Sequence, residues 1–229
     1  PFLIFDLDGT CVDSMGDIKI AANLLLSEYG FPALDEEALR PCIGKGVHFL
    51  VGSVLEASGW SVDDLSAAVT RYQMLYREHA LDSTMPYPGV EETLDRLAHL
   101  DKVVVSNKPE EATRGILRAL GLAKYFRAVA GGDSYTEMKP SPLPLLRVME
   151  SANAHPSQSW MIGDSVYDIE AGKAAGTGTV AVTWGFQPPE KLKALTPDRV
   201  VNAFSEIGDF FTAWRGVSSS PGSATQSNR

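Results

Sequence analysis

Phe2-Leu3-Ile4-Phe5-Asp6-Leu7-Asp8-Gly9-Thr10 is the stretch that decides the fold. The apolar run 2–5 is too short and too continuous for an amphipathic helix. It reads as a strand buried on both faces, as in a parallel sheet. Two carboxylates, Asp6 and Asp8, then stand at its carboxyl end on alternating sides of the chain. Gly9 lets the backbone turn sharply, and Thr10 offers a hydroxyl. Acidic groups at the end of a buried strand are costly unless a cation or several donors compensate them. A metal-assisted site accounts for them economically; the plain alternative is a polar loop that happens to carry two Asp.

Working outward, residues 14–80 read as a helical block of about four helices. Val47, Leu50, Val51, Val54 and Leu55 fall at helical spacing, as do Val62, Leu65, Val69, Tyr72 and Tyr76. Ser61 is the expected cap of the second set, with Asp63 and Asp64 in its first turn. Breaks come near Gly30-Phe31-Pro32 and between Pro41 and Gly46. After Tyr87-Pro88-Gly89 strands and helices alternate. Strands are expected at 102–106, 128–130, 160–163 and 179–183, and helices at 90–100, 109–120, 141–152, 167–175 and 204–214. That alternation predicts a Rossmann-like α/β domain, a parallel sheet covered by helices on both faces. The first strand precedes the helical block and the others follow it. The block is therefore an insertion: residues 1–13 and 84–215 form the α/β core, and 14–83 an all-helical cap. The Ser- and Gly-rich stretch 216–229 has no apolar pattern and reads as a disordered tail.

Composition narrows the function classes. The 229 residues include 20 Lys and Arg against 29 Asp and Glu, a net charge of −9, so no basic footprint for nucleic acid or for a membrane surface is present. No run approaches the ~18 apolar residues of a membrane span, and no secretory pattern is visible. The chain opens at Pro1, within the first strand signal, which suggests that a few residues precede it. Two cysteines, Cys11 and Cys42, make no disulfide framework and fit a reducing, cytoplasmic setting. Cys11 beside the acidic motif is either a reactive thiol or a small buried hydrophobe. The four histidines lack zinc-site spacing.

Four polar stations fall at strand ends or in the loops that follow. They are Asp6/Asp8/Thr10, Ser106-Asn107-Lys108, Lys139-Pro140, and Gly163-Asp164 with Asp168 four residues on. In open α/β sheets ligands bind outside the carboxyl ends of the strands, so such stations can converge. Asp6, Asp8 and Asp164 supply hard oxygen ligands suited to Mg²⁺. Asp6 can attack phosphorus, Lys139 can offset charge at the reacting centre, and Asp8 can serve as acid and then base. Ser106 and Thr10 can donate to phosphate oxygens, and the amides near Asn107 add donors. Asp168 lies one helical turn from Asp164 and can join the metal shell directly or through water. Taken singly, Lys139 reads as a surface lysine, Ser106-Asn107 as a helix cap, and Asp164/Asp168 as first-turn acids.

The order DLDGT, SNK, KP and GDSVYD resembles the haloacid dehalogenase-like hydrolase superfamily. Val12-Asp13-Ser14, Arg40 with Ile43-Gly44-Lys45-Gly46, Ser106-Asn107-Lys108-Pro109 and Gly163-Asp164-Ser165 resemble its phosphoglycolate phosphatases. The likeness spans about residues 1–215. It implies a nucleophile at Asp6, an acid/base at Asp8, and Mg²⁺ held by the Asp6 side chain, the Asp8 main-chain carbonyl and Asp164. It implies a mobile cap, and a substrate site drawing on Thr10, Ser106, Asn107, Lys108, Arg40, Gly44 and Lys45. Cys11 stands where Leu is usual, a packing change. Lys45 stands where a small or polar residue is common, and either reaches a substrate carboxylate or faces solvent. Arg40 either reads that carboxylate or pairs with Glu36 or Glu37. The expectation is a Mg²⁺-dependent phosphomonoester hydrolase converting 2-phosphoglycolate to glycolate and phosphate, as monomer or homodimer. A sugar-phosphate phosphatase or phosphomutase of the same superfamily and a non-catalytic phosphate-binding module are the alternatives. A dehalogenase is disfavoured, because acid help from Asp8 would be wasted on a halide.

Overall fold

The computed structural model describes residues 1–60 and 65–214. The expected Ser61 cap, with Val62, Asp63 and Asp64, and the expected 216–229 tail lie outside the described residues.

Strand β1 (Phe2–Phe5) is buried at all four positions. It lies inside a six-stranded sheet with β4 (Lys102–Val105), β5 (Ala128–Ala130), β6 (Ser159–Gly163), β7 (Gly178–Val182) and β8 (Arg199–Val201). The order is β5-β4-β1-β6-β7-β8, and every pair is parallel. The chain builds outward from β1 to β4 and β5, then returns to the other side of β1 for β6. β1 therefore stands at the reversal of strand order, where the loops on either side splay apart and leave a crevice.

Helices cover both faces. Leu3 and Phe5 pack with α5 (Val90–Arg96), α6 (Glu110–Ala119) and α10 (Phe204–Ala213) in one apolar cluster. Ile4, Val103 and Met161 pack with α7 (Leu143–Ser151) and α8 (Val166–Ala174) in another. This alternation is the period-two pleat of a strand buried on both faces. α5 is shorter than expected. Past Arg96 the backbone tightens into i→i−3 bonds, Ala98 to Asp95 and Leu100 to Leu97, and the Lys102 ammonium donates to the carbonyls of Leu97 and Leu100.

Between β1 and β4 lie α1 (Met15–Glu28), α2 (Glu36–Leu39), α3 (Gly46–Ala57) and α4 (Leu65–His79). They share an apolar cluster of their own, including Leu25, Leu39, Leu55, Val69 and Tyr76. Phe186, from the core loop after β7, joins that cluster. Two short strands, β2 (Val12–Asp13) and β3 (Met85–Pro86), pair antiparallel where the chain enters and leaves the block. Buried Asp17 fastens the exit: it accepts from the amides and hydroxyls of both Ser83 and Thr84. The sequence reading missed β2, β3, β8 and α9 (Pro189–Ala194). All are six residues or fewer, too short to show a period. No helix among the described residues is long and apolar enough to cross a membrane.

Candidate active site

β1 is flanked by β4 and β6, with Phe5 level with Val104 on one side and Ile162 on the other. Asp6, Ser106 and Asp164 therefore emerge side by side. Lys139 arrives from the loop after β5 and is locked by a side chain of the second station. Its amide donates to Asn107 Oδ1 at 2.9 Å, and Asn107 Nδ2 donates to the Lys139 carbonyl at 2.8 Å. The Lys139 ammonium is 2% exposed. It donates to the Val105 carbonyl and to Asp168 Oδ1, both at 2.6 Å, and lies 3.0 Å from Asp6 Oδ1.

Asp6, Asp164 and Asp168 bring carboxylate oxygens within 4.8 Å of one another, and all three are buried. Asp164 accepts from the Thr10 hydroxyl at 3.1 Å and from the Phe186 amide at 2.8 Å. Glycines make room for it: a Cβ on Gly9 or Gly185 would come within 2.3 Å and 2.2 Å of the Asp164 side chain. Gly9 also has φ +77°, a conformation that side chains resist. Asp6 Oδ1 has no aligned hydrogen-bond donor despite its burial. Burial, partly offset by Lys139, pushes the Asp6 carboxyl up to about 6. Burial and the Asp6 charge push Asp164 well above the carboxylate range. Concentrated negative charge, a buried carboxylate oxygen whose one contact is the ion pair with Lys139, and an all-oxygen donor set among the described residues fit a hard divalent cation.

Asp8 points to the other side of the turn. Ser14, just ahead of α1, donates to Oδ1 at 2.6 Å, and the Lys108 ammonium reaches Oδ2 at 2.8 Å and Oδ1 at 3.1 Å. Lys108 is 9% exposed and sits over the Tyr76 ring of α4, 4.3 Å from its centroid. A cavity of about 440 Å³ opens above Asp6 and Asp8, roofed by the helical block through Ile18, Leu50, Tyr72 and Tyr76.

The sequence matches the profile of the haloacid dehalogenase-like hydrolases over residues 3–182. The chain belongs to that family. It is 36% identical to a phosphoglycolate phosphatase of Vibrio parahaemolyticus over 212 residues, 90% of this chain and 93% of that one. A phosphoglycolate phosphatase of Aquifex aeolicus is 36% identical over 211 residues, with the same shares covered. The fold superposes on the crystal structure of a predicted phosphoglycolate phosphatase from Haemophilus somnus with a TM-score of 0.86 and 28% identity. That match covers 92% of this chain and 97% of the other.

Within this hydrolase the residues expected at the site divide. Asp6, Asp8, Ser106, Lys108, Lys139, Asp164 and Gly44 line the cavity. Thr10 does not. It is fully buried and its hydroxyl goes to Asp164, so it orients a carboxylate rather than meeting a phosphate. The Asn107 amide is spent on Lys139 and on the Gly44 carbonyl at 2.8 Å, tying the helical block to the core; only its backbone remains for a ligand. Asp168 has both oxygens engaged, one by Lys139 and the other by the Ser165 amide and hydroxyl in a capping box. That leaves it a holder of Lys139 more than a free ligand. Arg40 faces away from the cavity. Its guanidinium pairs with Glu36 and donates to the Phe186 carbonyl, the alternative left open from the sequence. Lys45 is exposed outside the cavity lining, near the Phe49 and Tyr167 rings, 4.9 Å and 5.5 Å from their centroids. Cys11 is the buried hydrophobe: burial pushes its thiol well up, and it does not line the cavity.

Sequence reasoning missed Ser14, Tyr76, Phe186 and Gln187. The first holds Asp8 and the other three line the cavity. Ser14 sits six residues from Asp8, a spacing that offered a weak signal. The others come from distant segments and offered none.

Proposed function

We propose that this hydrolase cleaves phosphomonoesters through an aspartyl-phosphate on Asp6, with 2-phosphoglycolate as its substrate. The carrying observation is the division of labour between two carboxylates two residues apart. Asp6 is buried beside Lys139 and Asp164, its Oδ1 ion-paired to Lys139 at 3.0 Å but accepting no aligned hydrogen bond. Asp8 faces the cavity between Ser14 and Lys108. The relatives named phosphoglycolate phosphatase, alike over nine-tenths of the chain, support the choice of substrate.

In this reading Asp6 attacks phosphorus and the ester P–O bond breaks. Asp8 gives its proton to the leaving oxygen, and glycolate departs. Asp8 then takes a proton from water, the water oxygen attacks phosphorus, and phosphate leaves with Asp6 restored. Lys139 offsets charge at Asp6 and on the phosphoryl oxygens, held in place by Asp168 and Asn107. The Ser106 hydroxyl donates to the phosphoryl group. Asp6, Asp164 and the Asp8 carbonyl would hold Mg²⁺, which when bound offsets the negative charge shared by nucleophile and phosphate. Residues 14–83 act as a cap that encloses the substrate from above, and the chain works in the cytoplasm.

The test is phosphate release from phosphoglycolate, sugar phosphates, nucleotides and pyrophosphate, with Mg²⁺ or EDTA. Phosphoglycolate with Mg²⁺ should give the highest kcat/KM, and Asp6→Asn should abolish turnover while leaving the fold intact. Full turnover in EDTA or in Asp6→Asn would overturn the mechanism.

A further inference from the structure

Resting on that reading, we propose that Lys108 and Tyr76 form the subsite that binds the carboxylate of the leaving group. Among the described residues four cationic side chains line the cavity: Arg77, Lys108, Arg118 and Lys139. Lys139 is committed at the floor to Asp6, Asp168 and the Val105 carbonyl. Arg77 is 74% exposed and shares Glu111 across the rim, and Arg118 is exposed on α6. Lys108 alone of the four is a nearly buried cation beside the proton donor for the leaving group. Its ammonium carries three N–H donors, and Asp8 is its only hydrogen-bonded acceptor among the described residues.

Tyr76 supplies the second, independent observation. It is 6% exposed, it lines the cavity, and its hydroxyl has no hydrogen-bond partner among the described residues. Lys108 sits over its ring, 4.3 Å from the centroid, without an aligned hydrogen bond to the oxygen. A buried hydroxyl without a partner is costly, and an arriving acceptor removes that cost. Burial also raises the Tyr76 phenol, so it stays a neutral donor.

The spacing selects a short acid. Asp8 must lie ~2.8 Å from the leaving oxygen to protonate it, and Lys108 lies 2.8 Å from Asp8. The leaving oxygen is then at most ~5.6 Å from the Lys108 nitrogen. A carboxylate oxygen one carbon beyond the ester carbon extends up to ~3.6 Å from the leaving oxygen by standard bond lengths, so with a bent approach a hydrogen bond of ~2.8 Å spans what separates it from Lys108. The apolar side chains Ile18 and Leu50 and the Tyr72 ring share the cavity and keep the local dielectric low, which strengthens the contact.

The experiment compares phosphoglycolate with ethyl phosphate, which lacks the carboxylate. Binding is titrated calorimetrically with Mg²⁺ in the non-turning-over Asp6→Asn protein, alone and combined with Lys108→Met or Tyr76→Phe. Steady-state kinetics are run on the single variants Lys108→Met and Tyr76→Phe. Lys108→Met should weaken phosphoglycolate ~10-fold or more beyond its effect on ethyl phosphate. Tyr76→Phe, which removes one oxygen and leaves the packing intact, should shift the preference the same way by a smaller factor. If each variant weakens both ligands equally, Lys108 only positions Asp8 and the subsite is overturned. If the wild type releases phosphate from neither ester while Asp6→Asn binding still discriminates through Lys108, the hydrolase reading fails and the subsite stands.

Discussion

Replacing Lys139 with Ala removes the one cation buried, among the described residues, with the three carboxylates Asp6, Asp164 and Asp168. Its ammonium touches Asp168 at 2.6 Å and Asp6 at 3.0 Å, and Asp164 belongs to the same cluster. At an effective dielectric of about 20, a unit charge 3 Å away contributes roughly 5 kcal/mol of Coulomb attraction. Desolvation of the ammonium offsets part of this. Breaking a buried pair by deleting one partner costs about 3–5 kcal/mol. In a protein of this size, with ~2–4 °C of melting temperature per kcal/mol, the metal-free Lys139→Ala protein should melt roughly 6–20 °C lower. Added Mg²⁺ should recover part of that loss, because it neutralises the same oxygens. Turnover should fall ~10²–10³-fold even when the variant is folded and saturated with Mg²⁺, the usual size for one preorganised charge at a reacting centre. Differential scanning fluorimetry and phosphate-release kinetics read the two effects separately. Lys191→Ala and Lys193→Ala, on α9, are the controls and should be near neutral. The reasoning is refuted if Lys139→Ala melts within 2 °C of wild type and turns over within about three-fold of it, because a buried ammonium holding two carboxylates cannot be so dispensable.

Three further outcomes are expected. Asp17→Ala strands two amides and two hydroxyls of Ser83 and Thr84 and should destabilise by about 3 kcal/mol; chemical denaturation that shows less than 1 kcal/mol would dismiss the clamp. The Asp6 carboxyl lies at about 6 in the folded protein against 3.8 ordinarily, so folding favours its protonated form. Its contribution is complete below about pH 4 and is lost as pH rises through 6, up to roughly 3 kcal/mol; the melting-temperature gain from Mg²⁺ should accordingly be larger at pH 7.5 than at pH 4.5, and equal gains would contradict the buried-carboxylate account. Arg40→Ala should change kcat/KM for phosphoglycolate by less than about three-fold, since it gives up a half-exposed pair with Glu36 worth only ~0.3–0.5 kcal/mol; a ten-fold rise in KM would return Arg40 to the substrate.

The sequence by itself determined the sheet and the order of its chemistry. Phe2–Phe5 reads as a strand buried on both faces, because a continuous apolar run of that length has no solvent side, and 102–106 reads as a further strand of the same sheet. Asp6, Ser106, Lys139 and Asp164 were legible because strand ends in such a sheet lie along one edge, so local position already implies shared location. Side-chain partnership is another matter. Thr10 was read as a phosphate donor, yet its hydroxyl serves Asp164, 154 positions away in the chain. For Arg40 the sequence leaves a substrate carboxylate and a pair with Glu36 or Glu37 equally open, and packing decides for Glu36, with the Phe186 carbonyl as a second acceptor. Tyr76 and Phe186 could not be found at all, since helix packing alone brings α4 and the loop after β7 over Asp6 and Asp8. Periodicity and local patterning act over a few residues and are written into the chain. Which donor meets which acceptor depends on rotations and approaches between segments a hundred residues apart, and those are fixed only when the apolar clusters close around them.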